Sequence, residues 1–196
     1  MSRLDLVVGP NGAGKSSFVE HVLAPTLPLS VFVNADEIAK QRWPDDPMTH
    51  SYDAARIAEQ TRSALIARRR PFIAETVFSH PSKLELITEA HAAGYHVTLH
   101  VLMIPAQLAP HRVAARVEAG GHDVPVDKVL ARAERLWANV ATAVHHVDTA
   151  LLFDNSTLDG PNRVATFIGG VLVGAPHWPG WTSPELTSRW PGTDPT

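Results

Sequence analysis

Three observations predict an α/β chain with a mostly parallel sheet of five to six strands between two helical layers. The first is Gly9-Pro10-Asn11-Gly12-Ala13-Gly14-Lys15-Ser16, which fits Gly-x4-Gly-Lys-Ser/Thr without a mismatch. It lies between an apolar strand-type run, Leu4 to Val8, and a segment able to start a helix, Ser17 to Leu23. Second, short apolar runs alternate with longer amphipathic ones along the chain, the pattern of helices crossing over a parallel sheet. Third, two of the short runs end in carboxylates, at the strand tips where such sheets bind their ligands.

The glycine-rich stretch predicts triphosphate binding. Glycines let successive N–H groups turn inward around phosphate oxygens, and the following helix adds the positive end of its dipole. Lys15 would reach the β- and γ-phosphates, and the Ser16 hydroxyl would hold a magnesium ion. Gly9 to Ser17 is therefore the expected ATP site. With glycine near 7% of average usage, a match at all four fixed positions would arise by chance in about one chain of this size in a hundred.

Bulk properties narrow the class. A chain of 196 residues supports one well-buried core but not two comfortable ones. The formal charge of −3 supplies no global field for nucleic acid or an anionic membrane, so a polyanion would need a local patch. Without cysteine there is no disulfide and no thiolate metal site, which fits a reducing compartment. No apolar run approaches the ~20 residues of a membrane helix. Met1 leads straight into a strand, leaving no room for a signal peptide, and a cytoplasmic location is expected.

Past the first helix, Pro25 and Pro28 interrupt the pattern, and Leu29 to Val33 reads as the second strand. It ends in Asn34-Ala35-Asp36-Glu37, where Asp36 could also serve as the N-cap of a helix through Arg42. Trp43 to Pro47 is a loop, and Tyr52 to Arg69 is an amphipathic helix carrying Arg56, Arg62 and the run Arg68 to Arg70. Arginines at that end suit the negative end of the helix dipole. Phe72-Ile73-Ala74 is the third strand, leading into Glu75-Thr76.

Pro81 opens a helix to Ala93 that closes at Gly94. Tyr95 to Ile104 is the fourth strand, with His96 and His100 sharing a face as partly buried sheet histidines. Ala106 to Ala119 and Val126 to Val147 are helices bearing Arg112, Arg116, Lys128, Arg132, Arg135 and Asn139. The Gly120-Gly121 hinge between them gives the composition of a lid spanning about 106–140, or of a solvated helix hairpin. Leu151 to Asp154 is the fifth strand; its acid could hold magnesium or cap the loop Asn155-Ser156-Thr157. Residues 164–173 form an edge strand bent at Gly169-Gly170, completing a domain over 1–173. Residues 174–196, with Trp178, Trp181 and Trp190, read as an irregular tail pinned by its tryptophans.

These parts have the arrangement of a small phosphate-loop kinase. No guanine-reading Asn/Thr-Lys-x-Asp run is present, and a motor ATPase would need a larger body. Phosphoryl transfer is mostly positioning and charge neutralisation. Asp36 is the candidate general base for the acceptor hydroxyl, and Asn34, Glu37, Glu75 and Thr76 are candidate acceptor contacts. Arg116 and Arg132 would close over the phosphates.

The runs Gly9 to Ser16, Val33-Asn34-Ala35-Asp36-Glu37-Ile38, Ala74-Glu75-Thr76, Ala93-Gly94-Tyr95 and Arg116-Val117-x-x-Gly120-Gly121-His122-x-Val124-Pro125 together resemble the zeta toxin family. The resemblance covers roughly residues 4–157 and is to its shorter branch with the Gly-Gly-His-x-Val-Pro lid. It implies a phosphate-loop kinase of a bacterial toxin–antitoxin system, using ATP and Mg2+. It also implies an acceptor hydroxyl on a nucleotide sugar such as UDP-N-acetylglucosamine, and a cognate antitoxin as partner. The family's loop lysine, base aspartate and lid arginines fall on Lys15, Asp36, Arg116 and Arg132, and its sugar-contacting acid on Glu75. Val77-Phe78-Ser79, however, is more apolar than a sugar pocket needs. Two other readings stand beside this one. A nucleoside or nucleic-acid kinase would use Arg56, Arg62 and Arg68 to Arg70 as a phosphate-backbone patch. A non-catalytic switch would bind nucleotide only.

Overall fold

The structure, a computed structural model, describes residues 2–118 and 126–192. Its sheet is built outward from β1 (Arg3–Val8), in which every residue from Leu4 to Val8 is buried. A strand covered on both faces reads as a continuous apolar run, and the sequence signal before the glycine loop is of that kind. Leu4, Leu6 and Val8 point into one core and Val7 into the other, as the two-residue strand period requires.

The sheet order is β2-β3-β1-β4-β5-β6-β7, with β2 (Val31–Val33), β3 (Phe72–Thr76), β4 (His96–Met103), β5 (Thr149–Asp154), β6 (Asn162–Ile168) and β7 (Val171–Leu172). β1 to β5 are mutually parallel, and β6 and β7 add antiparallel neighbours beyond β5. The α/β class and the mostly parallel sheet are as the sequence predicts. There are seven strands rather than five or six because the last apolar segment folds into a hairpin. Gly169 and Gly170 both have positive φ (55° and 78°), the backbone that a tight two-residue hairpin turn demands.

The crossover helices complete the layers. α1 runs through Lys15–Phe18, a wide π-type turn over Val19–Leu23 and a last turn over Ala24–Thr26. α2 is Ala35–Arg42, α3 Ser51–Ala67, α4 Ser82–Ala92, α5 Leu108–Glu118 and α6 Val126–Ala143. One core, containing Leu6, Phe72, Phe78, Ile87, Leu99, Leu136 and Leu152, packs α3, α4 and α6 on one sheet face. A smaller core of Val7, Phe18, Val19, Ile73, Leu102 and Val113 lies under α1 and α5 on the other. The C-terminal segment returns to the larger core: Leu186, on α7 (Pro184–Thr187), is fully buried, and the Trp178 Nε1–H donates to the Trp190 carbonyl at 2.7 Å. Trp190 stands edge-on to Phe167 with ring centroids 4.8 Å apart.

A polar cluster joins β1, the strand that leads into the phosphate loop, to β4. The Asp5 side chain, wholly buried on β1, accepts two 2.7 Å bonds from the Arg3 guanidinium and pairs with His100 Nε2 at 2.9 Å. His100 is thus a sheet histidine paired through Nε2, its buried Nδ1 making no hydrogen bond among the described residues, and His96 lies 3.8 Å from Asp148. Among the described residues no group of three or more His, Asp or Glu could hold a metal ion. Burial alone would raise the Asp5 carboxyl, but hydrogen bonds from His100 and Arg3 more than reverse it and hold it below the ordinary range.

That depression sets a pH dependence. A carboxylate with a lowered folded pKa stabilises the fold fully above its unfolded value, about 3.9, and the contribution is lost as pH falls through the folded value. Asp5→Asn is expected to lower stability at neutral pH by about 1.5–3 kcal/mol, the worth of a hydrogen bond to a charged group. It should also flatten the loss below about pH 4. Urea unfolding of both proteins at pH 7, 4 and 3 checks this, and parallel acid limbs would refute it.

Candidate active site

The loop leaves β1 at Gly9, pressed against β4: a Cβ there would sit 2.3 Å from the Leu102 carbonyl oxygen. No larger residue fits without moving the strand. Lys15 is buried and folds back across the loop, Nζ donating to the Pro10 carbonyl at 3.1 Å. The loop after β5 braces it, with Asn155 Nδ2 donating to the Ala13 carbonyl at 2.8 Å. Over the glycines lies a cavity of about 190 Å³ lined by Gly12, Gly14, Lys15, Ser16, Ser17, Glu75 and Arg112. Arg112 is fixed there by donating to the Asn155 and Ser156 carbonyls at 2.8 and 3.0 Å.

Glu75 reaches this cavity because β3 is the direct neighbour of β1, with Val7 opposite Glu75 in the register. Its Oε2 accepts from the Ser16 hydroxyl at 2.9 Å and from Asn34 Nδ2 at 2.7 Å. Asp154 is placed differently. β5 is separated from β1 by β4, and Asp154 Oδ1 accepts from the Ser156 N–H at 2.8 Å, capping the loop. The acid beside Ser16 is Glu75.

At the tip of β2 the helix cap is Asn34 rather than Asp36. Asn34 Oδ1 accepts from the N–H groups of Asp36 and Glu37 at 2.7 and 3.3 Å. An extended residue one place before the helix is the geometry that a side-chain cap requires, and Asp36 is already inside the first turn. Its carboxylate is thereby left for other work. Glu37 instead pairs with Lys40 at 2.8 Å, one turn along the helix.

A second cavity, about 210 Å³, opens beside the first. The loop contributes Asn11 and Lys15, the β2 tip Asn34 and Asp36, and the β3 tip Glu75, Thr76 and Val77. α3 adds Ala55, Ala58 and Arg62, and α4 adds Lys83 and Leu86. Lys15 and Glu75 line both cavities, so the two meet at the loop. Just beyond Thr76, Phe78 is fully buried at φ 64°, a backbone that a bulky residue adopts at a cost of about 1–3 kcal/mol. Asn139 on α6 holds it there, Nδ2 donating to the Phe78 carbonyl at 2.9 Å.

The expected site residues are therefore distributed unevenly. Lys15, Asn34, Asp36, Glu75 and Thr76 converge on one cavity, whereas Glu37 turns away from it. Arg132 is half-buried on α6 and lines neither cavity. The Arg116 side chain and the segment Gly120 to Pro125 lie outside the described residues. Arg112 enters the phosphate cavity, where the sequence leads one to expect Arg116 and Arg132; its signal is the four-residue spacing that puts Arg112 and Arg116 on one helix face. Lys83 had no signal beyond following Pro81 into a helix.

A family model described as AAA domain matches residues 4–141, most of the chain. The chain belongs to this AAA-domain family. An uncharacterized protein of Haemophilus influenzae is 30% identical over 125 residues, covering 62% of this chain and 85% of that protein. The fold also matches solved structures. The AvrRxo1-ORF1:AvrRxo1-ORF2 complex superposes with a TM-score of 0.70 at 18% identity, covering 88% of this chain. The chain spans about 60% of the matched chain of that complex. The PezAT chromosomal toxin–antitoxin system of Streptococcus pneumoniae gives 0.65 at 14% identity, covering 84% of this chain and 72% of that one. A gluconokinase from Sinorhizobium meliloti gives 0.51 at 16%, covering 80% and 84%. This AAA-domain protein thus has a phosphate-loop kinase fold, shared with toxin–antitoxin proteins and a metabolite kinase. Among the described residues no helix is long and apolar enough to cross a membrane.

The residues present fit a magnesium nucleotide. The loop offers Gly12 and Gly14 at positive φ and a lysine, and Ser16 and Glu75 offer hard oxygen atoms side by side, the donor type magnesium takes alongside phosphate. Two substitutions test this geometry. Gly9→Ala is expected to displace the loop from Leu102 and weaken ATP binding by about tenfold or more, or 1.4 kcal/mol. Calorimetric titration reads this, and unchanged affinity would show that the contact relaxes. Asn34→Ala removes both the helix cap and a Glu75 partner, and should cost about 1–2 kcal/mol in chemical denaturation.

Proposed function

We propose that this protein is an ATP-dependent small-molecule kinase that transfers the γ-phosphoryl group to an alcohol. The observation that carries the reading is the meeting of the two cavities at Lys15 and Glu75, with a carboxylate, Asp36, on the wall of the second. A donor in the loop cavity would present its γ-phosphate toward an acceptor in the other.

The step balances as an in-line displacement. The acceptor oxygen forms a bond to the γ-phosphorus while the bond to the β–γ bridging oxygen breaks, and ADP leaves with that electron pair. Asp36 takes the acceptor proton. Its backbone N–H is held by Asn34, which fixes where the carboxylate stands. Lys15, Arg112 and the loop N–H groups neutralise charge on the phosphates. A magnesium ion on Ser16, with Glu75 beside it, would add further neutralisation between the β- and γ-phosphates. Arg116 and Arg132 are the lid cations of this proposal.

As acceptor we propose a nucleotide sugar such as UDP-N-acetylglucosamine, and as partner a cognate antitoxin. The zeta-toxin-like motifs and the fold shared with the PezAT system support both. An ATP complex of the AvrRxo1 pair has the same fold, with a TM-score of 0.71. A cytoplasmic setting supplies the ATP such a reaction consumes. A nucleic-acid kinase is disfavoured, because the arginines do not form one surface. Arg56 pairs with Asp53 at 3.2 Å, Arg62 lines the cavity, and Arg68 to Arg70 are exposed at the far end of α3.

The test is incubation with ATP, magnesium and a panel of UDP-sugars, nucleosides and RNA, with mass spectrometry for an added phosphate. Asp36→Asn should lower turnover by about 10²–10⁴-fold while ATP affinity holds, since a general base contributes on that scale. Lys15→Ala should lower both. Full turnover in Asp36→Asn would remove the base assignment, and a protein that binds ATP but modifies nothing in the panel would favour a nucleotide switch.

A further inference from the structure

The acceptor cavity holds two cations that the transfer chemistry does not use. Arg62 projects from α3 and Lys83 from α4, and both line the same space as Asp36. Both are half-buried, and among the described residues neither side chain makes an ion pair or a hydrogen bond. Burial lowers the Arg62 guanidinium below its ordinary range, with Glu59 and Glu89 opposing from a distance. Burial also lowers Lys83, and the like charge of Arg62 lowers it further, with Glu59 opposing from a distance. Two neighbouring cations partly withdrawn from water, with carboxylates acting only at a distance, are unfavourable for the folded protein alone.

An anion between them would reverse that balance. Guanidinium and ammonium together make a strong phosphate site, one by planar paired donors and the other as a point charge. Asp36 and Glu75 line the same cavity, and they would repel an anion and suit a hydroxyl instead. The space is about 210 Å³ and joins the loop cavity at Lys15 and Glu75.

We infer that Arg62 and Lys83 form an anion subsite for the acceptor, which is therefore a phosphorylated alcohol, its phosphate seated between these two side chains and its hydroxyl at Asp36. This rests on the kinase reading for the hydroxyl, but not for the phosphate. The same chemistry is offered by the monophosphate of a sugar or nucleotide and by the diphosphate of a nucleotide sugar.

Binding is measured by calorimetry on the full chain saturated with magnesium and a non-hydrolysable ATP analogue, so that the loop cannot take the probe's phosphate. The probes are ribose 5-phosphate, UMP and UDP-N-acetylglucosamine, each against its neutral counterpart ribose, uridine or N-acetylglucosamine. Phosphorylated members are expected to bind and neutral ones to bind at least about tenfold more weakly, a difference of 1.4 kcal/mol. Arg62→Gln and Lys83→Gln should each weaken the phosphorylated probes by a similar factor, leave the ATP analogue unaffected, and abolish the salt sensitivity of probe binding. Lys83→Arg should restore it. Relative affinities of UMP, ribose 5-phosphate and UDP-N-acetylglucosamine separate the monophosphate from the diphosphate source. Equal binding of neutral probes, unchanged binding in both glutamine variants, or no binding of any probe overturns the subsite. Phosphate-dependent binding with no phosphoryl transfer from ATP would instead overturn the kinase reading and leave the subsite standing.

Discussion

The Glu75 carboxylate, shared between the Ser16 hydroxyl and the Asn34 amide, ties the two halves of the site together. Ser16 belongs to the phosphate loop and Asn34 to the tip of β2, and the two strands do not touch. β3 lies between them and carries the acid that bridges the gap. The same Asn34 uses its oxygen to cap α2, so one amide sets the start of the helix, the direction of Glu75 and the place of Asp36. A change at any of these groups would propagate to the others, because each has its partners fixed by the sheet rather than by flexible surface contacts.

Charge is arranged along the same line. Lys15 and Arg112 gather where phosphate belongs, Glu75 stands at the junction, and Asp36, Arg62 and Lys83 line the second cavity. The cationic ends are held in different ways. Arg112 has two carbonyl oxygens to satisfy its donors, whereas the outer pair has none within the described protein. Groups built for a permanent role are usually hydrogen-bonded when buried. A half-buried pair whose side chains make no hydrogen bond or ion pair is what the proposed anion subsite accounts for.

Beneath the loop the Arg3–Asp5–His100 cluster supports the strand from which the loop departs. Asp5 is buried on the face opposite the larger core, where an unpaired carboxylate would be costly, and its two partners, Arg3 and His100, come from the same strand and from β4. His100 also packs against Phe18 of α1, with ring centroids 5.7 Å apart. The loop's two anchors, β1 and α1, are therefore linked through one histidine. Strain is held on the other side of the site, at Phe78, where Asn139 locks an unfavourable φ just past the β3 tip.

Local patterns were enough for the glycine loop, the alternation of strands and helices and the limits of most elements, since periodicity and loop stereochemistry act between near neighbours. The seven-strand count was missed because Gly169-Gly170 reads equally as a bend or a hairpin until β6 and β7 are seen to pair. Asn34 and Asp36 are both good caps by type, and only the backbone at position 34 decides between them. Likewise, Glu75 and Asp154 are both strand-end acids in the sequence. Strand order, a long-range property, puts one against Ser16 and leaves the other to cap a loop. The sequence by itself determined that a phosphate loop starts an α/β sheet. The tertiary structure alone decided which acid stands beside that loop, and that Arg62 and Lys83, far apart in sequence, face the same cavity, because both follow from how strands and helices pack rather than from what lies next along the chain.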